Sequence, residues 1–137
     1  MTKSELLEAL KQEVSSEEYK NLRERRIPHL SEYNRQTMLE LLSRTNVPSG
    51  DVSSDRVAAL RTTLERYLAI YLADAKDSWK WIILPCIYLS FICNLPLHPR
   101  EIVHYTITAK NGQVVYHCPM KSAEEGTACA FCVCERP

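Results

Sequence analysis

The sequence predicts a mostly α-helical protein with a small β-hairpin near its C-terminus. Glycine occurs only three times in 137 residues, while Leu, Ala, Glu, Arg and Lys are plentiful, a composition that favours helices over an all-sheet fold. Apolar residues recur at helical spacing before the last third of the chain. A chain of this length is expected to form one domain. We predict a bundle of about five helices in residues 1–97, with the hairpin and a cysteine-rich tail in residues 98–137 packed on it.

Three helices are predicted in the first third of the chain from their N-terminal caps. Thr2 with Glu5, and Ser15 with Glu18, have the spacing of two capping boxes, and leucines at helical spacing follow the first of them. Ser31 is expected to cap a third helix in the same way. The caps therefore predict where the first three helices begin.

Two longer helices are predicted next. Residue 54 opens an amphipathic pattern that continues for five turns and requires a partner helix. Its apolar members are Val57, Leu60, Leu64, Tyr67, Leu68, Tyr71 and Leu72. The following segment, residues 79–95, is apolar nearly all round, so we expect it at the centre of the bundle with a kink at Pro85.

The hairpin is predicted from an Asn-Gly pair at residues 111–112, which separates two segments of alternating apolar and polar residues. Asn-Gly is the favoured two-residue turn of β-hairpins. The resulting register pairs Ile107 with Tyr116 on an apolar face. It directs Cys118 toward the core and His117 away from it.

Charge and hydropathy do not indicate nucleic acid or a membrane as a partner. Seventeen basic residues balance seventeen acidic ones, so no overall field attracts a polyanion. The uncharged residues 81–99 approach the length of a membrane span, but prolines and polar residues interrupt them, which favours a buried core helix. The N-terminus is charged where a signal peptide is apolar, so we expect a cytoplasmic protein with reduced thiols.

A cluster of cysteines predicts a metal site in the tail. Four of the six cysteines lie in the last twenty residues, at Cys118, Cys129, Cys132 and Cys134. Thiolates at this short spacing can wrap one ion, which indicates a Cys/His metal knuckle. Zinc is the expected metal, and an iron–sulfur cluster held by all four cysteines is the alternative. If no metal is bound, the cysteines are expected to form disulfides or to be plain buried thiols.

The fourth ligand is chosen between His98 and Cys134, since Cys118, Cys129 and Cys132 supply three. His98 lies in a bend between prolines whose restricted φ angles can aim an imidazole. Cys134 is expected to point to the opposite side of an extended chain from Cys132 and so to need a turn before it joins the ion. We therefore predict a Cys3His site and keep Cys134 as an alternative ligand or a reactive thiol.

Four other candidate ligands receive structural interpretations. His104 and His117 fall on the outer face of the hairpin, which makes each a less direct ligand, although a twist at a strand end would bring one closer. Cys86 and Cys93 share a face of the apolar helix among Ile, Leu and Phe. We expect these two thiols to be packed in the core.

The C-terminal motifs also carry a family resemblance. A Pro-Leu-His-Pro element, a Tyr-x-Cys-Pro element and a closing Cys-x-Phe-Cys resemble proteins of methanogenic archaea grouped as domain of unknown function 2115, over about the last sixty residues. By this resemblance, the histidine and cysteines of the family pattern correspond to His98, Cys118, Cys129 and Cys132. It implies the reducing cytoplasm of a methanogen and no particular activity. The chain departs from the pattern at residues 100–104, where the family is rich in glycine, and at Cys134.

The function expected from these residues is a metal-stabilised binding or regulatory module. The ion would join distant chain segments, and a helical surface would contact a protein partner that the sequence does not identify. This reading leans away from an enzyme. Two alternatives stay open: a metal-dependent hydrolase with an open zinc position and Glu124 or Glu125 as its base, and a thiol or metal redox sensor that uses Cys134.

Overall fold

A computed structural model describes residues 1–122, 124 and 126–136, and it confirms the mostly helical fold with a C-terminal hairpin. The helices are α1 (Lys3–Gln12), α2 (Ser16–Arg23), α3 (Glu32–Ser43), α4 (Ser54–Tyr71), α5 (Lys80–Ile87) and α6 (Arg100–Val103). A 3-10 segment, Ala73–Ser78, joins α4 to α5, and α5 continues directly as a π-helix, Tyr88–Cys93. The strands β1 (Thr106–Lys110) and β2 (Gln113–His117) precede a last 3-10 turn, Ala128–Phe131.

The predicted helix caps are present. The Thr2 amide donates to Glu5 Oε1 at 2.9 Å, and the Glu5 amide donates back to Thr2 Oγ1 at 3.0 Å. Ser15 and Glu18 make the same pair of bonds, and Ser31 accepts from an amide in the first turn of α3. These side chains satisfy amides that the first turn of a helix leaves unpaired. The first three helices therefore begin where the sequence predicts.

The apolar helix lies at the centre, as predicted. α5 packs against α3 and α4, and its π-helical continuation packs against α1. Leu84, Ile87 and Tyr88 have no exposed surface, because the neighbouring helices cover this segment on several sides. In the part of the chain that the structure describes, no helix is long and apolar enough to cross a membrane.

The central helix changes its hydrogen bonding after Pro85. Proline has no amide to donate and crowds the carbonyl one turn before it, so it disturbs the α-helical ladder. The backbone follows the wider π pattern over Tyr88–Cys93 and ends at Asn94, which has a left-handed φ of 52°. The irregularity that we predicted at Pro85 is thus found in the turns that follow it.

A polar cluster fixes α3 to the π-helix. The buried Tyr88 hydroxyl donates to Glu40 Oε1 at 2.8 Å and accepts from Arg44 Nη1 at 3.0 Å. Arg44 also approaches the Cys93 sulfur at 3.6 Å. Burial is the main cause that raises the pKa of Tyr88. The buried hydroxyl is satisfied on both sides, which a residue at this depth requires.

The buried side of α4 is narrower than the sequence pattern predicts. Leu60, Leu64 and Leu68 are buried, whereas Tyr67 and Tyr71 are 56% and 66% exposed. The covering helix reaches only the row of leucines, because residues at i and i+4 form a ridge that one neighbour fills. The two tyrosine rings contact each other instead, with centroids 4.6 Å apart.

The hairpin has the predicted register, but β1 is not covered, and β2 is only partly covered. Ile107 faces Tyr116 in the antiparallel pair, yet every residue of β1 is exposed. His117 points away from Cys118 and its Nε2 hydrogen bonds with Thr108 Oγ1 at 3.1 Å. Cys118 is buried in a small cluster of its own beyond the end of the hairpin.

A substitution at Leu84 tests the central position of α5. We expect Leu84→Ala to lower the free energy of unfolding by about 2–5 kcal/mol, because the leucine has no exposed surface and its loss leaves a cavity. The matched control Val114→Ala, on the exposed hairpin, should cost less than about 1 kcal/mol. Urea unfolding followed by circular dichroism measures both values, and equal losses would contradict the central placement.

Candidate metal centre

One cleft brings together the predicted metal ligands. It has a volume of about 1160 Å³ and opens between α4, the Pro-Leu-His-Pro bend and the tail. Both the predicted set and the alternative thiol line it: His98, Cys118, Cys129, Cys132 and Cys134. The sequence motifs, separated along the chain, thus converge on one surface of the folded protein.

The tail is placed by pairing beside β2. The Cys118 amide donates to the Glu135 carbonyl at 2.9 Å, and the Glu135 amide donates to the Tyr116 carbonyl at 2.8 Å. This short parallel bridge brings Cys134 against Cys118 and Val103 in one buried cluster. Backbone hydrogen bonding therefore sets the approach of the two cysteines.

Lys121 closes the loop between β2 and the tail. Its ammonium group donates to the carbonyls of Cys132, at 3.2 Å, and Cys134. Its own amide donates to the Cys118 carbonyl at 3.2 Å. One lysine thus binds backbone near three of the four clustered cysteines, and hydrogen bonds from a charged donor are among the stronger ones in proteins.

Phe131 anchors the last 3-10 turn on the helices. Its ring lies 6.4 Å from the ring of Phe91 on the π-helix, measured between centroids. The guanidinium of Arg56, on α4, lies over its face at 4.9 Å. Stacking and cation–π contacts of this kind supplement the burial of the ring. The tail is therefore held on the helical body by packing as well as by its pairing with β2.

Cys134 lies closer to the other sulfurs than the sequence analysis expected. It is 1% exposed, and Cys132 packs against the cluster that it forms with Cys118. The expectation that Cys134 points away from Cys132 is wrong, because alternate residues of an extended segment share one side. Burial raises the pKa of the Cys134 thiol, and the neighbouring sulfurs of Cys132 and Cys118 raise it further. A metal ion would have to displace this proton.

The thiols share a cleft without forming a ready coordination sphere. Within residues 1–122, 124 and 126–136, no three His, Cys, Asp or Glu side chains lie close enough to hold a metal ion. All six cysteines are free thiols. The Cys3His set of His98, Cys118, Cys129 and Cys132 therefore stays a prediction, and binding of an ion requires these side chains to turn toward one another.

The bend that carries His98 is fixed from the helical side. The Tyr33 hydroxyl donates to the Pro96 carbonyl at 2.7 Å, and Leu97 is buried in the main core. The His98 residue is exposed, although partial desolvation lowers the pKa of its imidazole. A neutral imidazole at neutral pH is the form that binds metal ions.

The other candidates fall outside the thiol cluster or belong to the core. His104 is exposed at the end of α6 with a left-handed φ of 53°. Glu124 is exposed and does not line the cleft, and Glu125 lies outside the described residues. Burial raises the pKa of the Cys86 thiol to about 12, which fits the predicted core role. Half-buried Cys93 lies beside Arg44, as described above.

Sequence reasoning missed the residues that organise the site. Lys121 and Phe131 hold the tail, and Tyr33 holds the bend, but none of them is a metal ligand, and Phe131 enters the sequence pattern only between the cysteines of the Cys-x-Phe-Cys element. A lysine in a polar loop or a tyrosine on a helix resembles many surface residues. For Phe131 a signal was available, since an aromatic residue between two cysteines of a polar tail needs a buried partner.

Comparison with known proteins places the chain in a family. The sequence model of proteins described as "Uncharacterized protein conserved in archaea (DUF2115)" matches residues 3–136. The chain belongs to this family. The match confirms the resemblance and extends it over the helical part as well as the C-terminal motifs. The family description names no activity.

A curated relative gives a second similarity. The UPF0305 protein MJ0646 of Methanocaldococcus jannaschii is 28% identical over an alignment of 90 residues, and the match covers 62% of this chain and 54% of that protein. The match therefore spans about half the length of the relative. No solved structure matches the chain.

A substitution at Lys121 tests how the tail is positioned. We expect Lys121→Met to accelerate amide hydrogen exchange at Cys118 and Glu135 about 10-fold or more, because hydrogen bonds to a charged group contribute about 1.5–3 kcal/mol. Lys110→Met, on the exposed hairpin turn, is the matched control and should leave both rates unchanged. Mass spectrometry of peptides from the tail measures the exchange. Equal rates in the two variants would remove Lys121 from the positioning of the tail.

Proposed function

We propose that the protein binds one Zn²⁺ ion through the thiols of this cleft and that the ion has a structural role in a binding or regulatory module. The observation that carries the proposal is the convergence of Cys118, Cys132 and Cys134 at the pairing of the tail with β2. Thiolate is the preferred protein ligand of structural zinc. Three sulfurs beside a cleft that also holds His98 and Cys129 supply enough donors for a closed tetrahedral site.

The convergence favours a revised ligand set. Cys118 and Cys134 already lie in one buried cluster, and Cys132 packs against it. We therefore propose these three as thiolate ligands, with His98 or Cys129 as the fourth. Rotation about the bonds between Cα and Cβ can redirect the sulfurs with little change in backbone position, because cysteine side chains have three staggered rotamers.

The structural role follows from the chain segments that the ion would join. His98 lies after the central helix, Cys118 ends the hairpin, and Cys132 and Cys134 belong to the tail. A two-stranded hairpin of which one strand is exposed throughout is marginally stable by itself. An ion bound only by the folded form would add its binding free energy to the stability of this region.

Glu124 is exposed and does not line the cleft, so it does not supply the base that the hydrolase alternative needs. A hydrolytic zinc site needs an open position beside a group that accepts a proton. Glu125 is the remaining carboxylate of that alternative. We therefore favour a closed site over an open one, and the number of protein ligands distinguishes them.

Metal analysis of the purified protein tests the proposal. Protein prepared without oxygen or added chelator should contain about one zinc per chain by elemental analysis. Competition with a chromophoric chelator should show that Cys118→Ala and Cys134→Ala each lower the affinity more than about 100-fold, since even outer-shell partners cost 10–100-fold. Cys93→Ala controls for the loss of a thiol outside the cleft and should keep full affinity.

Two further variants identify the fourth ligand. Of His98→Ala and Cys129→Ala, the one that removes a ligand should lose affinity to a similar extent. His117→Ala, whose imidazole bonds to Thr108, is the control for the histidine. Protein without bound metal, or full affinity in both Cys118→Ala and Cys134→Ala, would overturn the proposal.

Thiol redox sensing is the second candidate, favoured by the placement of Cys134 and Cys118 in one buried cluster. Two thiols would lose two protons and two electrons to a peroxide, which becomes two molecules of water, and form a disulfide. Mass spectrometry after treatment with hydrogen peroxide distinguishes the candidates. A metal-free protein with a Cys118–Cys134 bond would favour sensing, whereas retained zinc and unmodified thiols would favour the structural ion.

A further inference from the structure

A set of exposed apolar side chains lies along the cleft. In the part of the chain that the structure describes, nine large apolar residues are exposed, and five of them line this cleft. Their exposed fractions range from 56% to 73%. We call these five the apolar patch: Tyr67, Ile70 and Tyr71 on α4, Ile102 on α6, and Met120 after β2. Apolar surface gathered in one place marks an interaction site, whereas scattered exposed residues do not.

The patch has the size of a protein interface. With roughly 200 Å² for the full surface of such a side chain, the exposed fractions correspond to about 650 Å². Each partner of a standard protein interface contributes about 800 Å². The largest apolar patch of a typical monomer is about 300–600 Å². Contact of this patch with a polypeptide surface is therefore more favourable than its exposure to water.

We propose that the apolar patch docks on the same patch of a second copy of this chain in a two-fold dimer. Tyr67, Ile70 and Tyr71 have the i, i+3, i+4 spacing of a helix face, and they border the buried row of Leu60, Leu64 and Leu68. The exposed side of α4 is thus free to meet another helix. In the dimer, Ile70 of each copy enters the cleft of the other.

The charges around the patch favour a second copy over a different partner. Arg66 and Glu101 line the cleft, and neither forms an ion pair with another residue of the described ranges. A two-fold interface must be complementary to itself. The cleft meets this condition, because its charges balance, with Arg66 and Lys121 against Glu32 and Glu101, and Arg66 of each copy can face Glu101 of the other. A strongly charged partner would need a patch of one opposite sign.

The overall charge of the chain also permits self-association. The formal net charge at pH 7 is zero, so two copies approach without the long-range repulsion that keeps highly charged proteins apart. The dimer interface shares the cleft with the proposed zinc site, but none of the five side chains of the apolar patch is a proposed zinc ligand.

Sedimentation equilibrium in reducing buffer tests the dimer. Wild-type protein at 10–100 μM should have about twice the monomer mass of 15.8 kDa. Ile70→Glu places a charge at the centre of the interface and should weaken dimerisation at least about 100-fold. Val114→Glu adds the same charge at a comparably exposed apolar residue of the hairpin and should leave the dimer intact. Circular dichroism verifies that both variants fold.

A charge exchange tests the two-fold arrangement. Arg66→Glu and Glu101→Arg should each weaken dimerisation about 10-fold, because like charges then face each other. The double variant should recover to within about 3-fold of wild type. A wild-type monomer at 100 μM, an unaffected Ile70→Glu dimer, or a double variant weaker than both single ones would overturn the proposal. Binding of a small apolar dye to a monomer, lost in Ile70→Glu, would assign the cleft to a small ligand instead.

Discussion

The burial of a helix with no polar side organises this protein. α5 and its π-helical continuation are apolar around most of their circumference, so each neighbouring helix is placed by the part of that surface that it covers. α3 and α4 cover α5, and α1 covers the π-helix. The cap residues decide where these helices begin, but the central helix decides where they lie.

The secondary structure was largely predictable because its signals are local. A capping box, an Asn-Gly turn and an uninterrupted apolar run each depend on residues within one or two turns of one another. The width of the buried side of α4 was not predictable in this way. Leu68 and Tyr71 are three residues apart, so helical spacing predicts that both lie on the buried face. Tyr71 is exposed only because of where the covering helix lies. The π-helix likewise depends on how the chain accommodates Pro85.

The candidate site was predictable in composition and only partly in arrangement. Cysteines and a histidine at ligand spacing are visible in the sequence, and the fold does gather them in one cleft. Their mutual positions depend on the tail pairing with β2, a contact between segments almost twenty residues apart. Such pairing moved Cys134 into the cluster and left His98 and Cys129 at its edge. The same pairing brings Lys121 and Phe131 to the site, although neither side chain is a metal ligand.

The separate small cluster of Val103, Cys118 and Cys134 has a consequence for how the molecule opens. It is distinct from the main core, and β1 of the neighbouring hairpin is solvent-exposed. Regions with few buried apolar contacts open at a lower free energy than the rest of a protein. We therefore expect the hairpin and the end of the tail to open at a lower free energy than helices α1 to α5. Phe131, between Phe91 and Arg56, keeps the last 3-10 turn on the helical body during such an opening.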